Sequence, residues 1–128
     1  HLYHDAGLIG FLSAAGQWTF HNDNAGNTTA IGNVTAYSDI RLKTNIELIP
    51  DALNKVCSLR GVTYDRIETG KRQTGVIAQE VQAVLPEAVM VGKDENETLS
   101  VAYGNLVGLL IEAIKELKAE VDALKESK

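Results

Sequence analysis

The apolar residues between Tyr103 and Leu124 constrain the fold of this 128-residue chain more than any other feature. They recur at alternating steps of four and three residues, as in the seam of a coiled coil. We therefore predict a long C-terminal helix over 103–128 that pairs with copies of itself. The predicted seam consists of Val107, Ile114 and Val121 at heptad position a, and Leu110, Leu117 and Leu124 at position d.

The number of helices in this coiled coil is less sharply specified. β-Branched residues at a with leucine at d favour a parallel dimer. However, Leu106 and Ala113 at g and Ile111 at e widen the apolar face beyond what a two-stranded seam requires. The wider face suits either a larger bundle or packing against the chain's own domain, so the pattern leaves dimer and trimer open. Glu120 at g can pair with Lys125 at e of a neighbouring helix.

Charged residues are distributed very unevenly along the chain. Residues 1–37 contain no Lys, Arg or Glu and only two Asp, yet they hold all three His, the only Trp and both Phe. Residues 38–128 hold all 12 basic residues and 15 of the 17 acidic ones. Two segments of different character therefore meet at Tyr37-Ser38.

Composition also excludes several classes of protein. The net charge of −5 argues against a nucleic-acid partner, because phosphate contacts need clustered Lys and Arg. No stretch approaches the roughly 20 apolar residues of a membrane span, so we predict no membrane partner. The only cysteine, Cys57, falls on an apolar stripe with Leu53 and Val56 and is predicted to be a buried structural thiol.

Histidines are the only residues that could point to a metal. His1 and His4 have a spacing that a metal could use, and His21 could join them from a neighbouring chain. No cysteine or carboxylate cluster accompanies them, so we predict no metal site and no other cofactor.

The first segment reads as short strands and turns over 8–12, 17–21 and 22–27. In the second run, strict alternation places Trp18 and Phe20 on one face and Thr19 and His21 on the other. A segment of this size cannot bury a core alone. We expect it to be the end of a fibre whose core is completed by neighbouring chains.

The second segment alternates between helical and strand patterns before the heptad helix. Helices are predicted over 51–59 and 78–85, the second ended by Pro86, and strands over 61–67, 74–77, 89–91 and 98–101. The predicted fold class is α+β: a β-rich fibre end, then a small mixed α/β module and a long coiled-coil helix.

Ser38 and Lys43 form a potential catalytic pair at the junction. A serine is a poor nucleophile until a base removes its proton, and a lysine can be that base when desolvation lowers its pKa from about 10.4 toward about 7 to 8. On a helix or a strand, residues five apart point to different faces. A turn or a partner chain must therefore bring these two side chains together.

Four blocks of sequence, in this order, resemble a known family. They are SDIRLKTNI at 38–46, GVIAQEV at 75–81, LPE at 85–87 and SVAY at 100–103 before the heptad helix. Residues 38–128 thereby resemble the intramolecular chaperone domain of bacteriophage tail fibres, tailspikes and endosialidases, which is classed as a self-cleaving serine peptidase.

The resemblance implies a homotrimeric folding device that registers the upstream fibre and then removes itself by cutting the Tyr37-Ser38 bond. It assigns Ser38 as nucleophile and Lys43 as proton acceptor, without a cofactor. Residues 1–37 would stay in the virion's tail fibre or tailspike. Residues 38–128 would act in the host cytoplasm during assembly, while the fibre, rather than this module, contacts the host receptor.

Roles for the other matched residues stay open. The oxyanion needs a stabiliser, for which backbone N–H groups near Gly75 or the side chain of Gln79 are candidates. Capping a turn or orienting Lys43 is as well supported for Asp39 as proton transfer. Arg41 is expected to form a structural ion pair. For Glu80, packing or an inter-chain salt bridge is at least as well supported as catalysis.

Three other functions compete with self-cleavage. The first is a structural trimerisation module with an inert Ser/Lys pair. The second is a membrane-bound transcription factor that uses the same domain, as the myelin regulatory factor does. The nearly uncharged β-rich segment and the absence of a span disfavour it. The third, a receptor-binding adhesin, concerns the upstream fibre.

Overall fold

The computed structural model describes residues 2–127, which form two compact units divided between Asn45 and Ile46. The first unit contains strands β1 (Leu2–Asp5), β2 (Leu8–Leu12), β3 (Trp18–Asn22) and β4 (Thr28–Ala30), and a 3₁₀ helix over Ile40–Leu42. This structural division lies eight residues beyond the proposed cleavage bond. The assignment of 1–37 as retained and 38–128 as released concerns processing, and it stays a prediction.

The four strands of the first unit form an antiparallel sheet in sequence order. β1 and β2 are joined by a two-residue turn at Ala6 and Gly7, both with positive φ, as the tightest hairpins require. Phe11 and Phe20 are direct cross-strand partners, with ring centroids 6.3 Å apart. The strands predicted at 8–12 and 17–21 are therefore present, the second shifted by one residue to Trp18–Asn22, with a further strand on either side of them.

A register shift in the β2–β3 pair corrects the predicted faces of β3. Phe11 pairs with Phe20, but the next residue, Leu12, pairs with Trp18, so one residue of β3 is extra. Trp18 therefore lies on the opposite face from Phe20, where its ring stacks on that of His21 at 5.8 Å. Strict alternation had placed Trp18 with Phe20, and the bulge reverses that assignment.

The second unit contains three helices and two hairpins. The helices are α1 (Ala52–Cys57), α2 (Ala78–Val84) and α3 (Val107–Glu126). β5 (Val62–Asp65) pairs with β6 (Arg72–Gly75), and β7 (Val89–Val91) pairs with β8 (Leu99–Val101), both antiparallel. Short 3₁₀ helices over Pro86–Ala88 and Tyr103–Leu106 precede β7 and α3. The predicted α+β class is confirmed, and so is each element predicted here to within a few residues.

One cluster of buried side chains holds the second unit together. Its members come from all three α-helices, from β7 and from the segment that joins α2 to β7: Ala52, Val81, Leu85, Ala88, Val89, Leu109 and Ala113. Cys57 is exposed, contrary to the predicted buried thiol. The buried side of α1 is centred on Ala52 and Val56, and Cys57 lies roughly 100° further round the helix axis than Val56.

Helix α3 presents two different faces. Leu109 and Ala113, at heptad positions c and g, are buried within the unit. One turn further on, the Glu116 carboxylate accepts hydrogen bonds from the N–H groups of Ala52 (2.8 Å) and Leu53 (3.2 Å). Glu116 thus caps α1 in place of Asp51, which lies at the N-cap position but makes no side-chain cap bond.

The other face of α3 carries the heptad seam and is in solvent. Exposure of the predicted a and d side chains runs from 41% at Val121 to 67% at Ile114. Ile111 at e is also 47% exposed and extends this face, whereas Ala113 belongs to the chain's own core. No helix within 2–127 is long and apolar enough to cross a membrane.

Candidate active site

Ser38 and Lys43 meet side by side in the first unit. Lys43 Nζ lies 2.7 Å from Ser38 Oγ, within hydrogen-bonding distance. Both groups carry protons and lone pairs when lysine is neutral, so the same contact can carry the serine proton to the amine. The contact lies within one chain.

The 3₁₀ helix over Ile40–Leu42 creates this contact. The N–H of Leu42 donates to the carbonyl of Asp39 (3.0 Å), and the N–H of Lys43 donates to that of Ile40 (3.1 Å). Asp39 before the turn and Lys43 after it are both extended. One tight turn between extended residues thus joins two side chains that a regular helix or strand would separate.

Asp39 and Arg41 reinforce that turn. Asp39 Oδ1 accepts from the backbone N–H of Arg41 (2.8 Å) and from its Nε (3.0 Å), and Oδ2 accepts from a terminal guanidinium nitrogen (2.8 Å). The guanidinium holds the pKa of Asp39 below its ordinary value, and the carboxylate raises the pKa of Arg41. The structural ion pair expected for Arg41 is present, and Asp39 caps the turn.

The proposed scissile bond is open to solvent in the single chain. Tyr37 is 94% exposed, and Ser38 and Lys43 are also exposed. Tyr37 lines a surface cavity of about 500 Å³ together with Asp39, Arg41 and Leu42. The predicted nucleophile, the predicted base and the proposed scissile bond are thus adjacent.

The remaining predicted residues belong to the second unit. Gly75 ends β6 beneath the hydroxyl of Tyr103, and the N–H of Val76 makes a long 3.5 Å hydrogen bond to that hydroxyl. Gln79 lines a groove of about 530 Å³ together with Tyr64, Ser100 and Tyr103. Tyr103 was predicted as the start of the heptad helix and the end of the SVAY block, and no sequence signal pointed to its contact with the 75–79 block.

Glu80 makes a salt bridge within the chain. Its carboxylate accepts three hydrogen bonds from the guanidinium of Arg60, the shortest at 2.6 Å. These bonds hold the pKa of Glu80 below its ordinary value. Of the roles left open for Glu80, the geometry therefore corresponds to a structural ion pair, formed inside one chain.

Histidines form no cluster in the part of the chain that the structure describes. No group of three or more His, Cys, Asp or Glu side chains within 2–127 is arranged to hold a metal ion. His1, half of the considered pair, lies outside the described residues.

Comparison with known proteins bears directly on this site. Residues 38–90 match the family model described as chaperone of endosialidase, the peptidase S74 family. Residues 38–90 are thus similar to the chaperone-of-endosialidase family. The resemblance predicted from the four sequence blocks is thereby confirmed. The chaperone-of-endosialidase match begins at Ser38 and also includes Gly75, Gln79 and Glu80.

The chain is also similar to phage tail-fibre proteins. The chain is 45% identical over 100 residues to the long tail fiber protein Gp37 of Enterobacteria phages K3 and T2, an alignment that covers 73% of the chain but only 8% of each relative. It is 39% identical over 115 residues to Gp37 of Enterobacteria phage Ox2, covering 84% of the chain and 45% of that relative. The chain therefore spans well under two thirds of the relatives it matches.

Proposed function

We propose that this chain joins the end of a phage tail fibre to an intramolecular chaperone. The chaperone aligns three fibre chains and then removes itself by cutting the bond between Tyr37 and Ser38. The observation that carries the proposal is the 2.7 Å contact between Ser38 Oγ and Lys43 Nζ. It lies at the first residue of the family match, next to the boundary between uncharged and charged sequence.

The proposed reaction is attack by Ser38 on the carbonyl that precedes it. Ser38 Oγ bonds to the carbonyl carbon of Tyr37 while neutral Lys43 takes the hydroxyl proton. The C–N bond then breaks, and Lys43 passes the proton to the nitrogen, which becomes the α-amino group of Ser38. Water hydrolyses the resulting ester, leaving a carboxylate at Tyr37 and restoring the Ser38 hydroxyl.

Positioning supplies much of the rate acceleration in this scheme. Nucleophile and carbonyl belong to adjacent residues, and well-oriented intramolecular attack is worth on the order of 7 to 11 kcal/mol. The reaction needs no metal or organic cofactor. Gly75 and Gln79 remain our candidates for stabilising the oxyanion, from the same chain or a neighbouring one.

Exposure of the catalytic pair supports a link between cleavage and assembly. A lysine acts as a base most readily when water is excluded from it, yet Ser38 and Lys43 are exposed in the single chain. We therefore expect cleavage to follow association, when neighbouring copies cover this turn. Dilution below the association range should slow cleavage, and a rate independent of concentration would contradict the coupling.

The free face of α3 supports self-association into a homotrimer. Its a and d side chains are apolar and exposed along the helix, and Ile111 at e widens the seam. Side chains of this kind become buried when parallel helices pack together. The coiled coil would hold three upstream chains at high effective concentration and in register.

Removal of the module would trap the folded fibre kinetically. Interwound β-structure from three chains depends on contacts distant in sequence, so it forms slowly and slips register easily. Once the fibre has folded, release of the clamp leaves it without the template on which it formed, and it is kinetically trapped. The retained fibre would belong to the virion and contact the host receptor, and the module would act in the host cytoplasm.

The decisive experiment is the intact mass of the purified chain and of single variants. Wild type should yield fragments 1–37 and 38–128, while Ser38→Ala and Lys43→Ala stay at full length. Ser58→Ala and Lys93→Ala, at exposed positions elsewhere, serve as matched controls and should cleave normally. Cleavage at this bond in Ser38→Ala would refute the nucleophile assignment.

The ester intermediate has its own test. Hydroxylamine attacks esters much faster than amides, so it should speed fragment release and leave a hydroxamate on Tyr37. A slowly cleaving variant that hydroxylamine does not accelerate would indicate direct attack by water instead.

A second candidate function is a clamp that trimerises without cutting. The exposure of Ser38 and Lys43 favours it, because most exposed Ser/Lys pairs are chemically inert. Under this alternative the wild-type chain would remain at full length while sedimenting as a trimer.

A further inference from the structure

We infer that Asp39 is the positioning residue of the Ser38/Lys43 pair, acting through two separable contacts with Arg41. One contact is the cap on the backbone N–H of Arg41, and the other is the bidentate ion pair with its guanidinium. This inference rests on the proposed function and specifies how the chain holds its nucleophile and base together.

Little else holds the turn in place. Its two backbone hydrogen bonds, from Leu42 and Lys43, make a single 3₁₀ turn, and such short turns are weak on their own. The apolar side chains within it, Ile40 and Leu42, are 73% and 68% exposed and contribute no core packing. The Asp39 carboxylate therefore supplies most of the side-chain restraint on residues 39–43 within the described chain.

The same contacts separate Asp39 from the proton chemistry. Both carboxylate oxygens are engaged by Arg41, whereas the Ser38 hydroxyl is engaged by Lys43. Ion pairing with Arg41 also holds the pKa of Asp39 below its ordinary value, which makes the carboxylate a poorer base. Asp39 thus acts on the reaction through the turn, and Lys43 acts on the proton.

Three substitutions separate the two contacts. Asp39→Asn keeps an oxygen for the cap but loses the ion pair, Arg41→Gln loses the ion pair but keeps the cap, and Asp39→Ala loses both. Exposed ion pairs are weak, so we expect Asp39→Asn and Arg41→Gln each to slow cleavage by about twofold to fivefold. Loss of the cap as well should make Asp39→Ala about tenfold to thirtyfold slower.

The shape of the pH–rate profile distinguishes positioning from chemistry. A positioning residue lowers the rate at every pH, so Asp39→Asn should leave the profile's midpoint where wild type has it. A shifted midpoint would overturn the inference, and so would Asp39→Ala cleaving as fast as Asp39→Asn. Asp65→Asn is the matched control, because Asp65 also forms a solvent-exposed ion pair, with Arg72, and its substitution should not affect the rate.

A measurement independent of cleavage keeps the inference testable if the wild-type chain does not cut. In the full-length Ser38→Ala background, adding Asp39→Ala should accelerate amide hydrogen exchange at Arg41 and Lys43, while adding Asp65→Asn should not. Unchanged exchange would overturn the positioning role. Failure of wild type to cleave would refute the proposed function, and the exchange result would still decide whether Asp39 restrains the turn.

Discussion

The two compact units bury their apolar residues to very different extents. Up to Asn45, Gly10 is the only buried residue among those described, and Phe11 and Phe20 are 47% and 40% exposed in the middle of their sheet. From Ile46 onward, Val81 and Leu109 are almost completely buried in a core shared by three helices. The first unit has local pairing without a core, whereas the second has both.

This difference indicates which unit depends on neighbouring chains. A single antiparallel sheet with no covering layer is marginally stable in water, because its apolar faces stay hydrated. The second unit has its own core, so we expect it to fold by itself, and α3 offers an apolar stripe for association. A module that folds first and then associates with other copies of itself is suited to guide a segment that cannot fold alone.

The largest predicted effect comes from separating the units. Residues 46–128 expressed alone should show helical circular dichroism and a cooperative unfolding transition. Residues 1–45 alone should show no cooperative transition and poorly dispersed amide resonances. A cooperative transition in the isolated 1–45 segment would break the comparison.

The two faces of α3 allow a matched pair of substitutions. Leu109→Ala removes a side chain that is 1% exposed and should lower the free energy of unfolding by about 2–5 kcal/mol. Ile114→Ala removes one that is 67% exposed, so it should affect the isolated unit by less than about 0.5 kcal/mol and instead weaken association.

Urea unfolding at low concentration and sedimentation equilibrium at high concentration together measure this pair. The result that contradicts the assignment of faces is a large loss of stability in dilute Ile114→Ala, with association unchanged. Equal effects of both substitutions on association would mean that α3 does not divide its two roles between its faces.

A smaller effect is expected at Glu116. Glu116→Ala leaves the N–H groups of Ala52 and Leu53 without the carboxylate that caps them, which should destabilise the second unit by about 1–2 kcal/mol. Glu126→Ala, at an exposed position on the same helix, should change stability by less than about 0.5 kcal/mol. Similar unfolding midpoints for the two variants would show that the cap contributes nothing.

Patterns that repeat along the chain made most of the second unit predictable. Alternation, helical spacing and Pro86 located its helices and strands, because each element there follows its local preference. Contacts between distant residues were not predictable in this way. The heptad pattern assigned no contact to Glu116, and only the fold brings it to the start of α1. Cys57 was misassigned because apolar spacing does not show which face of a short helix is buried.

In the candidate site, too, the local pattern was predictable and the contacts were not. The Ser38-to-Lys43 spacing indicated that a turn was needed, and Asp39 was recognised as a possible cap, but only the structure shows the turn and the three contacts with Arg41. In the first unit, one extra residue in β3 was enough to move Trp18 to the other face of the sheet. Bulges leave no reliable mark in the alternation of apolar residues.

The smallest predicted effect concerns pH and the second unit. The guanidinium of Arg60 holds the pKa of Glu80 below its value in the unfolded chain. The ion pair therefore stabilises the fold at pH values above the unfolded-state pKa, and this stabilisation is lost as the pH falls through the folded-state pKa. Glu80→Gln should therefore reduce the fall in Tm between about pH 6 and pH 3 by less than about 2 °C. Because either change removes the same contact, Arg60→Gln should have a similar effect and the double variant no more than either single one. Additive effects in a thermal melt series across that pH range would show that the two side chains stabilise the unit through different partners.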